Sequence, residues 1–204
     1  YEIDSTPQRF HTIQLVRSKA QALMGSDDRS TLQRRAADLK LDCTPSVPQR
    51  INATLRPYQI EGFHFLVYLS SNRFGGILAD DMGLGKTLQT LCWIQWLREQ
   101  PDATQKPVLA VCPKSVVQNW LSESQRFLPG LRASVWKGGD LANLRACRDE
   151  NDLVVVNYTQ LRLSATVLGS TDWHAVVLDE AQYIKNPSSQ TAVAACALRG
   201  NHRL

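Results

Sequence analysis

The clearest candidate for chemistry in the sequence is a glycine-rich loop that ends in a lysine and a threonine. Residues 80–87 read Asp-Asp-Met-Gly-Leu-Gly-Lys-Thr and stand between a short apolar run and a helical pattern. A phosphate chain needs converging backbone N–H groups, a helix N-terminus and glycines that allow close approach. Lys86 would supply a cation for the β and γ phosphates, and Thr87 a hydroxyl for Mg²⁺. The loop predicts nucleotide binding, although Asp80 replaces the first glycine of the pattern G-x-x-x-x-G-K-[ST].

Two other interpretations of the loop fit less well. A plain glycine-rich turn that caps a helix would use the same glycines, but it would not require the strand before and the helix after. A dinucleotide site would need the fingerprint G-x-G-x-x-G, and Leu88 occupies its third glycine position. The lysine and threonine are not part of that fingerprint, so we favour the phosphate loop.

Two adjacent acids follow a second apolar run. Residues 175–182 read Ala-Val-Val-Leu-Asp-Glu-Ala-Gln, and a carboxylate at the carboxyl end of a parallel strand faces the crevice where ligands bind. Asp179 would hold Mg²⁺ directly or through water, while Glu180 would orient or deprotonate an attacking water. Such a pair alone is usually a solvated turn. Downstream of a phosphate loop, in this topological order, it favours nucleotide hydrolysis.

The elements that must position these residues alternate along the chain. Short runs rich in Val and Leu predict buried parallel strands at 76–79, 108–112, 153–156 and 175–178. Helices are predicted at 57–69, 86–98, 115–127, 141–147 and 188–198. The alternation predicts an α/β fold, a three-layer sandwich around a mostly parallel sheet. Residues 1–48 show two helical patterns and then two prolines, so we expect a helical N-terminal appendage and linker before a lobe at 49–204.

The composition of the chain excludes several classes of protein. The chain has 204 residues, a net charge of +4 and 43% hydrophobic residues, which indicates a globular protein and excludes wholesale disorder. No apolar run approaches the roughly 18 residues of a membrane span, so we expect no membrane partner. The five cysteines stand singly without metal-site spacing, which favours an intracellular setting. The mild positive charge is compatible with a nucleic-acid partner and does not demand one.

The ordered motifs resemble the Swi/Snf-type ATPases, which are helicase-like superfamily-two DNA translocases. The motifs are Leu-Arg-Pro-Tyr-Gln-x-x-Gly at 55–62, the loop with its preceding strand at 78–87, Cys-Pro-Lys-Ser at 112–115, Asn-Trp at 119–120, Asn-Tyr at 157–158 and Asp-Glu-Ala-Gln at 179–182 with Ile-Lys-Asn at 184–186. The resemblance runs from about residue 55 to the end of the chain. Asp80 is typical of this family at the missing-glycine position. The implied fold is the first RecA-like lobe of such an enzyme.

The resemblance also implies roles for individual residues. The ATP-binding residues would be Arg56, Tyr58 and Gln59 around the adenine, with Asp81, Met82, Gly83, Leu84, Gly85, Lys86, Thr87 and Asp179 around the phosphates. Thr87 and Asp179 would hold Mg²⁺ through the nucleotide, and Glu180 and Lys86 would be catalytic. Lys114, Ser115, Asn157 and Tyr158 would contact the phosphates of duplex DNA without reading its sequence.

The expected function is therefore the ATP-binding lobe of a DNA-dependent ATPase that translocates on duplex DNA and remodels protein–DNA complexes. A second RecA-like lobe of the same parent chain would supply arginines for the transferring phosphate, so we expect these 204 residues alone to bind ATP and DNA weakly and to turn over little. The spacing without long insertions leans towards a bacterial source and the nucleoid; a eukaryotic source would place the protein in the nucleus. Alternatives are an RNA helicase lobe, a non-catalytic nucleotide- or DNA-binding scaffold and, less well matched, a P-loop kinase.

Overall fold

The computed structural model describes residues 39–40, 42–81, 83–101 and 106–204. The chain divides into two units, and the second one begins at Asp42. The predicted helical patterns within 1–38 lie outside the described residues, so the appendage stays a prediction. Part of the predicted linker packs on the lobe, because the Pro45 carbonyl lies 3.1 Å from Nε2 of His64 and Val47 packs against the core. The boundary between 48 and 49 likewise stays a prediction.

Five parallel strands form the central sheet of the described lobe. They are β1 (Val108–Cys112), β2 (Ala133–Val135), β3 (Leu153–Asn157), β4 (Asp172–Leu178) and β5 (Arg199–Arg203). Their order across the sheet is β2-β3-β1-β4-β5. All four pairings are parallel, and Cys112 at the end of β1 is level with Asn157 at the end of β3. The carboxyl ends of the strands therefore meet at one edge of the sheet.

Seven α-helices lie within the described residues; the first two precede β1 and the other five connect the strands. They are α1 (Pro57–Ser71), α2 (Lys86–Arg98), α3 (Val117–Phe127), α4 (Leu141–Glu150), α5 (Tyr158–Leu163), α6 (Ala165–Gly169) and α7 (Gln190–Ala197). Short 3₁₀ turns occupy Lys114–Val116 and Ala181–Ile184. Side-chain oxygens of Asp140, Asn157 and Ser189 accept hydrogen bonds from the first turns of α4, α5 and α7, which fixes where these helices begin. None of the described helices has both the length and the apolar character that crossing a membrane takes.

The core lies on both faces of the sheet. Ala110 of β1 packs in one apolar cluster with residues of α1, α2 and α3, whereas its neighbours Leu109 and Val111 pack in a second cluster with residues of α4, α5, α6 and α7. Strand side chains alternate between faces, so β1 must be apolar at every position to serve both clusters. The structure therefore confirms the predicted three-layer α/β sandwich with a parallel sheet.

The prediction of a strand at 76–79 is wrong. The segment has no regular secondary structure, and one backbone hydrogen bond, from Gly76 N to Arg203 O at 3.2 Å, joins it to β5. Ile77 leaves 76% of its surface exposed, and Gly75 and Gly76 supply no side chains for packing. A strand requires a repeated ladder of such bonds, which this segment does not make with its described neighbours. β2 and β5, which the apolar pattern did not predict, complete the sheet instead.

Candidate nucleotide-binding cleft

A cleft of about 580 Å³ lies beside the carboxyl end of β4 and the start of α2. Its lining includes Lys86 and Thr87 from the predicted phosphate loop and Asp179 and Glu180 from the predicted acid pair. The fold thus brings together two motifs that are distant in sequence. Parallel sheets bind ligands outside the carboxyl ends of their strands, and this cleft has that location.

Glycines set the course of the loop into α2. Gly83 and Gly85 have φ of 85° and 78°, in the left-handed region that favours glycine. A Cβ on Gly85 would lie 2.5 Å from Nε2 of Gln59, so the left-handed backbone favours glycine there and any side chain would also displace the end of Gln59. Gly85 is also the residue that caps α2. The backbone is therefore shaped for close approach at the N-terminus of a 13-residue helix.

Lys86 reaches back over the loop. Its Nζ donates to the carbonyl oxygens of Asp80 at 2.8 Å and Asp81 at 3.0 Å. The carbonyl of Lys86 accepts from Thr90 Oγ1 at 2.8 Å, one turn later in the helix. The ammonium group therefore lies inside the loop, where a phosphate chain would meet it. Met82, also assigned to the nucleotide, lies outside the described residues.

The predicted adenine-sensing residues lie at the start of α1, outside the lining of the cleft. Gln59 is buried, and its Oε1 accepts from the backbone N–H of Arg56 at 2.9 Å while its Nε2 donates to the Leu84 carbonyl at 3.1 Å. Both ends of the amide are thus bound to protein, and they connect α1 to the phosphate loop. Arg56 is exposed and Tyr58 is half-buried. Their contact with adenine stays a prediction.

The two acids differ in their surroundings. Asp179 continues the line of β4, and its N–H donates to the Val111 carbonyl at 2.8 Å. Its Oδ2 accepts from Nε1 of Trp120 at 2.9 Å. Glu180 has φ and ψ of 54°, a left-handed conformation that costs a non-glycine residue about 1–2 kcal/mol. Gln182 holds the Glu180 carboxylate through an Nε2 to Oε2 hydrogen bond of 2.6 Å.

The four predicted DNA contacts follow two adjacent strands. Lys114 and Ser115 are exposed in the turn after β1. Asn157 ends β3, and its Oδ1 accepts from Gln160 N at 2.9 Å to cap α5. Tyr158 is buried, with its hydroxyl donating to the Asp179 carbonyl at 2.8 Å. The fold therefore places all four at one edge of the sheet, and only three of them at its surface.

Burial and charge keep the Tyr158 hydroxyl protonated. Desolvation raises the pKa of this phenol, and the nearby carboxylate of Asp179 raises the pKa further. The ring stacks on Tyr183 with centroids 5.1 Å apart and an interplanar angle of 2°. The hydroxyl therefore remains a donor to Asp179 throughout the neutral pH range.

Gln89 is a site residue that sequence reasoning missed. Its Nε2 donates to Oδ2 of Asp80 at 2.9 Å and, more weakly, to the Leu84 carbonyl at 3.4 Å. It thus holds the loop from inside α2, one turn after Lys86. The signal in the sequence was its place in α2, three positions after Lys86; its burial is visible only in the structure.

Comparisons with known proteins agree with this geometry. The sequence profile of the SNF2-related domain matches residues 58–204. TATA-binding protein-associated factor MOT1 of Saccharomyces cerevisiae is 38% identical over 170 residues, which cover 78% of this chain and 9% of MOT1. ISWI chromatin-remodeling complex ATPase ISW1 of the same yeast is 35% identical over 162 residues, covering 77% of this chain and 14% of ISW1. The chain therefore spans a small part of these relatives.

A solved structure shows the same fold. The SWI2/SNF2 ATPase core of Sulfolobus solfataricus, in complex with duplex DNA, superposes with a TM-score of 0.69 at 35% identity, over 78% of this chain and 33% of that one. The resemblance to Swi/Snf-type ATPases and the RecA-like fold of the lobe are both confirmed. Because the relatives are largely eukaryotic, the comparisons give the bacterial source no support. The chain belongs to the SNF2-related domain family.

Proposed function

We propose that the chain is the ATP-binding lobe of a DNA-dependent ATPase that translocates on duplex DNA and remodels protein–DNA complexes. The observation that carries the proposal is the cleft, which collects a lysine, a hydroxyl and two acids beside parallel strand ends. The relatives support it, since ISW1 is named as an ATPase and the Sulfolobus core was solved with duplex DNA.

The phosphate loop would hold the triphosphate of ATP. Lys86 would exchange its two bonds to loop carbonyls for bonds to phosphate oxygens, which are stronger because both partners are charged. The backbone N–H groups at the start of α2 and the helix dipole would add to this attraction. Binding would thus open the loop around the ammonium group.

The donor set of the cleft fits Mg²⁺. No group of three or more His, Cys, Asp or Glu side chains suited to a metal occurs among the residues that the structure describes. Mg²⁺ in nucleotide sites takes only one or two protein oxygens beside phosphates and water. Thr87 and Asp179 would be those ligands, and both line the cleft. The bound ion would neutralise charge on the β and γ phosphates.

Glu180 would act on the attacking water. Its carboxylate lines the cleft next to Asp179, and Gln182 restricts its orientation through one of its two oxygens. The other oxygen remains for a water molecule, whose proton it would accept as water attacks the γ phosphate. The left-handed backbone at Glu180 departs from the extended conformation of β4.

The surface after β1 and β3 would contact the DNA backbone. Lys114 supplies a positive charge and Ser115 a hydroxyl, both exposed, and Asn157 lies at the end of the adjacent strand. Tyr158 would support this surface from behind, because its ring is buried. Contacts of this kind bind phosphates, so affinity should fall steeply with salt and should not depend on base sequence.

Turnover would require a second RecA-like lobe that closes on the cleft. Such a lobe would supply arginines to the γ phosphate, an effect of about 10³–10⁵ in rate where an arginine finger is used. The relatives named for transcription and chromatin support a nuclear setting if the source is eukaryotic, and the nucleoid would be the setting in a bacterium.

Lys86→Ala tests the nucleotide site directly. We expect ATP affinity, measured by equilibrium binding with Mg²⁺, to fall at least about 10-fold because a charge-assisted contact is lost. Lys137→Ala is the matched control, since Lys137 is an exposed lysine in the loop after β2 and does not line the cleft. Equal affinity of Lys86→Ala and wild type would overturn the proposed site.

A further inference from the structure

Two side chains from separate elements hold Asp179 in place. Trp120, in the first turn of α3, donates from Nε1 to Oδ2 of Asp179 at 2.9 Å. Tyr158, at the start of α5, donates from its hydroxyl to the backbone oxygen of Asp179 at 2.8 Å. One bond fixes the carboxylate and the other fixes the peptide that carries it.

Both donors are held by packing and by further contacts. Trp120 is 2% exposed and Tyr158 is 5% exposed, so both rings are buried, and Trp120 also borders the cleft. The carbonyl of Trp120 accepts from Ser124 Oγ at 2.6 Å, and Tyr158 stacks flat on Tyr183. An indole N–H is a donor only, so it cannot exchange roles with the carboxylate. The orientation of Asp179 is therefore set before any ligand arrives.

The location of these bonds matches the needs of a metal ligand. A hydrogen bond to Oδ2 leaves Oδ1 and the remaining lone pairs of the carboxylate for the cleft, which Asp179 lines. Partners outside the ligand shell orient metal ligands, and their loss typically lowers metal affinity 10- to 100-fold. We propose that Trp120 and Tyr158 are positioning residues that hold Asp179 ready for Mg²⁺ bound with ATP. This inference rests on the proposed function of the cleft.

Trp120→Phe tests the inference because it removes the N–H donor and keeps an aromatic ring. The readout is the metal-dependent gain in affinity of the full-length protein, that is, ATP affinity with saturating Mg²⁺ divided by ATP affinity in EDTA. We expect the gain to fall about 10-fold while affinity in EDTA stays at the wild-type value. A merely structural role would lower both affinities together.

Trp136→Phe is the matched control. Trp136 is 3% exposed, and its Nε1 donates to Oδ1 of Asn143 at 2.7 Å, away from the cleft. The two substitutions thus remove the same group from equally buried sites, and Trp136→Phe should leave the gain at the wild-type value. An unchanged gain in Trp120→Phe, or an equal loss in Trp136→Phe, would overturn the inference.

Tyr158→Phe provides a second test if Trp120→Phe does not fold. It removes one oxygen atom and keeps the stack on Tyr183, and it should also lower the metal-dependent gain. In an Asp179→Asn background, neither substitution should lower the gain further, because Trp120 and Tyr158 both act by positioning the carboxylate that this background lacks. If Trp120→Phe and Tyr158→Phe both keep the wild-type metal-dependent gain while Lys86→Ala binds ATP weakly, only this inference is refuted. If Lys86→Ala binds ATP with wild-type affinity, the proposed function is refuted.

Discussion

Gly85 carries two constraints at once, and Gly83 carries only one of them. Both have positive φ, but a Cβ on Gly83 would meet no atom of the described residues within 4 Å, whereas a Cβ on Gly85 would lie 2.5 Å from Nε2 of Gln59. The pair therefore separates the cost of backbone strain from the cost of displacing Gln59.

We expect Gly83→Ala to lower the free energy of unfolding by about 1–2 kcal/mol, the cost of a left-handed residue. Gly85→Ala should lower it further, because Gln59 must also give up its bond to Leu84. Denaturant titration measures both. Equal losses in the two variants would show that the contact with Gln59 contributes nothing.

Glu180 is where binding and hydrolysis should separate. We expect Glu180→Gln to reduce kcat of the full-length enzyme by about 10²–10⁴, the usual contribution of a general base, while ATP affinity is retained. Glu150→Gln removes an exposed carboxylate outside the cleft and serves as the control. A kcat within a factor of two of wild type in Glu180→Gln would assign the base to another group.

At the scale of the elements, Asp152 joins three of them at the start of β3. Its carboxylate accepts hydrogen bonds from the backbone N–H, Nε and Nη2 of Arg132, which lies just before β2. It also forms an ion pair with Nη2 of Arg98, at the end of α2, at 3.1 Å. Burial raises the pKa of Asp152, but the hydrogen bonds of Arg132 and the charges of Arg98 and Arg132 outweigh it, so the pKa lies below its ordinary value.

The lowered pKa predicts a pH-dependent stability. The contribution of Asp152 should be complete above its ordinary pKa of about 4 and should disappear as pH falls through the lowered value. We expect Asp152→Asn to lower Tm by about 2–4 °C at pH 7, and the difference from wild type to shrink below about pH 4. Thermal unfolding over a pH series measures this.

Asp172→Asn is the control for that series. Asp172 pairs with Lys106 at 3.6 Å, and both side chains are well exposed, so little stability depends on the pair. A difference between Asp152→Asn and wild type that stays constant down to pH 3 would contradict the assignment.

Elements with local signals were predictable, and elements without them were not. Helix α2 was predicted with the bounds that the structure has, because Gly85 and Lys86 mark its start and apolar residues fill it. β5 reads Arg-Gly-Asn-His-Arg and has no apolar pattern; it is a strand because it pairs with β4. The segment at 76–79 is the opposite case, since its sequence is apolar like a buried strand but it does not form the repeated backbone hydrogen bonds of a strand.

The same rule holds for the site. The phosphate loop and the acid pair were predicted because each is a contiguous motif, and the cleft brings them together. The bond between Trp120 and Asp179 joins residues 59 positions apart, so no local pattern reveals it. Gln59 likewise reaches Leu84 across 25 positions, which local spacing does not show.

At the scale of the whole molecule, we expect the chain of 204 residues to be a poor ATPase by itself. Its cleft is bordered by one lobe, and no arginine but Arg203 lines it among the described residues. The chain alone should turn over ATP at least about 10³-fold more slowly than a protein with both lobes and duplex DNA. Comparable rates in a steady-state assay would show that the second lobe is not required.

The most direct measurement is ATP turnover by the full-length protein with duplex DNA, with RNA of equal length and without nucleic acid, beside the Lys86→Ala variant. We expect strong stimulation by duplex DNA, which weakens as salt rises, little stimulation by RNA, and no turnover in Lys86→Ala. Stimulation by RNA alone, or turnover that survives Lys86→Ala, would contradict the proposed function.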